Sequence, residues 1–67
     1  MKGFIEVTAE NVTQLLNVKY IELVQRDEDG KCTIFLAYHD PDAVEQDYVT
    51  TFESYDEIKR RLEEAMG

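Results

Sequence analysis

The sequence predicts an α+β fold, a small antiparallel sheet of four to five strands packed under one C-terminal amphipathic helix in the order β-β-β-β-β-α. Three observations predict it. Asp29-Gly30 sits between IELVQR and KCTIFLAY, two runs rich in β-branched and aromatic residues, as a hairpin requires. Ser54 and Glu57 stand at the S-x-x-E spacing of a helix start, and apolar residues then recur at helical intervals. GFIEVT and DYVTTF have the composition of further strands.

In GFIEVT, Ile5 and Val7 fall on one side and Phe4 and Glu6 on the other, the alternation of a half-buried strand. The next segment, NVTQLLNVKYIELVQ over residues 11–25, fits two incompatible periods. As a helix it aligns Val12, Leu15, Leu16, Tyr20, Leu23 and Val24, but that helix must continue through residues 21–24, which the hairpin also needs. A helix cut to residues 9–19 keeps only Val12, Leu15 and Leu16 on its stripe. It also strands Val18 on the wrong side and contains Asn11, Thr13 and Asn17, which are indifferent helix formers. The strand reading is favoured, with a second strand over residues 13–18, a bend at Lys19-Tyr20 and a third strand from Ile21.

A two-residue turn at Asp29-Gly30 sets Glu28 opposite Lys31, Leu23 opposite Leu36 and Ile21 opposite Tyr38. One side of the ribbon then carries Ile21, Leu23, Ile34 and Leu36, and the other carries Glu22, Val24, Arg26, Thr33, Phe35 and Ala37. A three-residue turn would exchange one strand's two sets, because side chains alternate strictly. A strand over residues 47–52 follows. In the closing helix Tyr55, Ile58, Leu62, Ala65 and Met66 share a stripe, while Asp56 with Arg60 and Glu57 with Arg61 sit four apart on the wet side. The helix is expected to rest on a floor of Ile5, Val7, Ile21, Leu23, Ile34 and Leu36.

Sixty-seven residues make a single domain over residues 1–67, and a globule of that size has a thin stability margin. The single Cys32 forms no internal bridge, so oligomerisation is the remaining common support. No apolar run suits a signal peptide or a membrane span, and a cytoplasmic location is expected. A net charge of -8 repels phosphate backbones and anionic lipid, which disfavours nucleic acid and membrane as partners.

Chemistry-bearing motifs fall short. His39, Asp40 and Asp42 lack a further His or Cys to close a metal site, and Asp-Pro favours a turn there. RDEDGK lacks the later ligands of a calcium loop. Cys32 is expected as a small core residue. The Lys59-Arg60-Arg61 triplet lies among Glu57, Glu63 and Glu64, the setting of a salt-bridged solvent face. No catalytic residue, metal site, cofactor or small-molecule substrate is indicated, and the chain is read as non-enzymatic.

The order of elements resembles the FlbD-like small proteins of bacterial flagellar operons, through L-L-N-V-x-x-I at Leu15 to Ile21 and E-S-x-x-E at Glu53 to Glu57. The resemblance implies a sheet covered by one helix. This chain departs from the pattern at HDPDAVEQD, where the family has a compact Gly-containing turn.

Once the helix covers one sheet face, Phe4, Val24, Phe35 and Ala37 are left on the reverse side. These four are the candidate protein-binding residues, for a homo-oligomer or for another protein. Closure into a partial barrel that buries Phe35 within the monomer is the competing structural outcome. The competing functional reading is an acidic regulator that binds a basic protein through residues 39–48 and the helix.

Overall fold

The computed structural model describes residues 2–37 and 47–67. Five antiparallel strands and one helix follow in the expected order: β1 (Phe4–Ala9), β2 (Val12–Asn17), β3 (Ile21–Arg26), β4 (Lys31–Leu36), β5 (Tyr48–Ser54) and α1 (Tyr55–Met66). The strands form two ladders, β1 with β2 and β3-β4-β5 with β4 in the centre. The ambiguous stretch is therefore strand, and the expected bend is a 3₁₀ turn over Val18–Tyr20, where the Asn17 side chain accepts from the Lys19 N–H. Ala9 faces Val12 across the first ladder, so Glu10 and Asn11 alone make the turn. Both take positive φ, at 52° and 54°, as a two-residue turn matched to strand twist requires.

The second hairpin corrects the expected register. The Asp27 N–H donates to the Lys31 carbonyl at 3.0 Å and the Gly30 N–H to the Asp27 carbonyl at 3.0 Å, so the loop is three residues, Glu28, Asp29 and Gly30. Gly30 has φ of 85°, the left-handed residue that completes such a loop. Leu23 accordingly faces Phe35 and Val24 faces Ile34. Val24, expected on the reverse side, packs against the core, and Leu23, expected in the floor, is 53% exposed. A bulge with Glu22 as the extra residue then places Ile21 opposite Leu36, and both pack on the core. The bulge undoes the shift for the one residue beyond it.

Ile5, Val7, Cys32, Ile34, Ile58 and Ala65 are buried together between the strands and the helix. Complete burial of each larger member contributes roughly 1.5–3 kcal/mol. Thr51 is buried among them, its hydroxyl donating to the Cys32 and Glu53 carbonyls at 3.2 and 2.9 Å. The helix starts as expected, with the Ser54 hydroxyl accepting from the Glu57 N–H at 3.1 Å. Two details of the helix differ from expectation. Met66 is 74% exposed at its end, and Asp56 pairs at 2.9 Å with Arg26 of β3 in place of Arg60.

β1 runs beside β5, yet no ladder joins them. Side chains bridge the seam. The Glu53 carboxylate accepts from the Thr8 N–H at 2.9 Å and from Arg61 at 3.1 Å, while Arg61 also donates to the Glu6 carbonyl at 2.5 Å. An irregularity in the β4–β5 register between Lys31 and Cys32 leaves Phe52 and Glu53 outside the pairing, which lets Glu53 turn toward β1.

Candidate functional site

Residues directly opposite one another in an antiparallel ladder share a face, so the register sorts the three-stranded sheet into rows. Val24, Ile34 and Val49 form one row, and all three belong to the core or pack on it. The adjacent row is Leu23, Phe35 and Tyr48 and faces away from the helix. Leu23 and Tyr48 are 53% and 58% exposed, and Phe35 between them is half-buried. The Phe35 and Tyr48 rings stand 5.9 Å apart and tilted, an attractive arrangement for two aromatic rings. Gln25, Thr33 and Thr50 form the next row, with the Thr33 hydroxyl donating to Asp27 at 2.7 Å. Phe52, 56% exposed, carries the Lys31 ammonium 5.0 Å from its ring centre.

Exposed acids neighbour the row of Leu23, Phe35 and Tyr48 in the chain, and Lys31 lies over Phe52. Glu22 precedes Leu23 and Asp47 precedes Tyr48 in the chain, both exposed, and Glu28 and Asp29 are exposed at the hairpin end. An apolar centre with a charged border is the anatomy of a protein interface.

Of the four residues expected to form the site, Phe35 lies in the exposed row and Ala37 is exposed just beyond the end of β4. Val24 belongs to the core, as described. Phe4 is 39% exposed but sits on β1, in the other ladder, in a shallow cleft with Arg60 and Glu64 of α1. Phe35 alone of the expected set thus lies in the central row, with Leu23 and Tyr48 as its neighbours. The signal that could have found Leu23 was the loop length, since Asp-Gly serves both two- and three-residue hairpin turns.

Several of the other chemistry-bearing groups are engaged within the chain. The two Asp27 oxygens accept from Gln25 and Thr33, and Asp29 accepts from the Lys31 N–H at 3.0 Å, so the turn carboxylates hold the hairpin loop. Burial, and then the Asp27 charge, push the Cys32 thiol up to about 11. Arg60 bridges Glu57 and Glu64 at 2.6 and 2.8 Å, and Arg61 bridges Glu57 and Glu53 at 2.7 and 3.1 Å. Hydrogen bonds from Arg60 and Arg61 hold the Glu57 carboxyl down to about 2. For Glu53, partial burial opposes ionisation, but bonds from Thr8 and Arg61 outweigh it and keep its carboxyl below the ordinary range. Two of the three basic residues, Arg60 and Arg61, are therefore paired with acids on the helix and β5.

Residues 39–46 of the acidic segment, with His39, Asp40 and Asp42, lie outside the described residues. Among the described residues no three His, Cys, Asp or Glu side chains converge as a metal site, and no helix is long and apolar enough to cross a membrane. Comparison with family models, with characterised proteins and with solved structures finds no match to this chain.

Proposed function

We propose that this protein is a small non-enzymatic cytoplasmic binding module that docks another protein on the outer face of its three-stranded sheet. The observation that carries the reading is the row Leu23, Phe35 and Tyr48, exposed at both ends, with the exposed acids Glu22, Glu28, Asp29 and Asp47 near it in the chain. The partner it fits presents an apolar or aromatic centre ringed by Lys or Arg, because those acids attract a basic rim and repel a second copy of the same face. Apolar contact supplies affinity, and the acidic character selects the partner.

Selection of peptides from a random display library against the folded protein tests it. Enriched peptides should combine aromatic or aliphatic residues with Lys or Arg, and their binding should weaken without vanishing as salt rises, since exposed charges are screened and apolar burial is not. Leu23→Lys should abolish that binding while the circular dichroism spectrum is kept, Leu23 being exposed. Peptides lacking either chemistry, or binding indifferent to Leu23→Lys, would reject the reading.

A further inference from the structure

The β1–β2 ladder ends at β2 and the three-stranded ladder ends at β3, so each strand presents one outer edge of backbone donors and acceptors. Natural sheets guard such edges with charge, proline or bulges, because a bare edge templates another strand. β3 is guarded twice, by the bulge at Glu22 and by the charges of Glu22 and Arg26 themselves. Among the described residues β2, VTQLLN, has no such guard. It is the one strand of the five without a charged residue, its register with β1 is continuous, and residues 12–15 are exposed. In a chain of net charge -8, β2 adds no charge of its own to the repulsion between two copies, the nearest acid across the ladder being Glu6 opposite Leu15.

The ends of the strand indicate the occupant. Glu10 precedes β2 and Lys19 follows it, and both are exposed. We propose that a second copy of this chain pairs antiparallel along the outer edge of β2, centred near Gln14 and Leu15, with the Glu10 end of each strand against the Lys19 end of the other. A parallel arrangement would instead set Glu10 against Glu10. The two-fold arrangement is self-complementary, as a closed dimer requires. It also brings a second strand to Leu15 and Tyr20, 54% and 48% exposed, which line a groove of about 370 Å³ with Leu16 and Leu36. Association adds main-chain hydrogen bonds and covers these side chains, the usual terms of strand addition. The dimer leaves both outer sheet faces open, so this inference does not depend on the docking reading above.

Sedimentation equilibrium on the full chain tests it. The expected result is a dimer whose dissociation constant rises at least about ten-fold in Leu15→Lys, a charge placed on the bare edge, with the circular dichroism spectrum unchanged. Lys19→Glu and Glu10→Lys should each weaken the dimer by roughly two- to ten-fold, two exposed pairs being lost by symmetry, and the double substitution should restore it. Leu23→Lys should leave the dimer intact. A monomer up to roughly millimolar concentration, a dimer indifferent to Leu15→Lys, a double substitution without rescue, or a dimer broken by Leu23→Lys would each overturn the proposal.

Discussion

In the first hairpin Glu10 and Asn11 both take positive φ, at 52° and 54°, whereas in the second the left-handed position belongs to Gly30, at 85°. The first turn is short and sets an uninterrupted register, but it places a glutamate where a side chain costs roughly 1–2 kcal/mol. Asn11 tolerates the conformation better. The second turn avoids that strain, and its register carries a bulge in β3 and another irregularity between β4 and β5. Strain at the turn goes with a bare edge strand, and a relaxed turn goes with a guarded one. β1 also meets β5 through side chains without a shared ladder, whereas β4 shares a ladder with β5.

That contrast can be tested at three places. The largest effect is expected in the core. Ile34 of the second hairpin and Val7 of the first are both fully buried; Ile34→Ala should cost about 2–5 kcal/mol and Val7→Ala roughly 1.5–3 kcal/mol in urea unfolding. Equal losses would show that the second ladder contributes no more than the first.

The seam comes next. Glu53→Ala removes acceptors for Thr8 and Arg61 and should cost about 1.5–3 kcal/mol. Hydrogen exchange should accelerate at β1 amides before those of β4, and Glu53→Gln, which keeps an acceptor, should recover part of the loss. Uniform acceleration would mean that the hairpins open together. Acid probes the same contacts. The folded state holds the Glu53 and Glu57 carboxyls below their ordinary values, so it binds protons less readily than the unfolded chain. Their stabilisation is complete above the unfolded value and is lost as pH falls, for Glu57 between 4.5 and about 2.

The smallest effect belongs to the turns and differs in sign between them. Gly30→Ala should lose about 1 kcal/mol, because Gly30 needs a left-handed backbone. Read at concentrations too low for dimer, Glu10→Gly should gain up to about 0.5 kcal/mol, relief of strain being partly offset by glycine's entropy. Thermal midpoints that fall in both variants would refute the account of the first turn.

Much of the fold was legible because strong local signals agreed. The Ser54 cap, the helical stripe through Ile58 and Ala65, and the β-branched runs around Asp29-Gly30 each had one dominant period. The strand at residues 12–17 was legible by exclusion, since a helix there competed for residues of the hairpin. What escaped was the length of one loop. One residue of loop exchanges faces along a strand, so Leu23 and Val24 traded places, and with them the composition of the exposed row. Tyr48 was legible as strand, but its face depended on the β4–β5 register, which no local motif announces. The Arg26–Asp56 pair and the Glu53 bridge join residues 30 and 45 positions apart, beyond the reach of spacing rules.

Cys32 lies wholly buried on the central strand with its thiol pushed up to about 11, so alkylating reagents at neutral pH meet neither an accessible sulfur nor a thiolate. The chain thereby carries its own unfolding clock. With one cysteine in the sequence, the rate of labelling reports a single event, the exposure of the strand that links the two others of its ladder, with no probe attached beforehand.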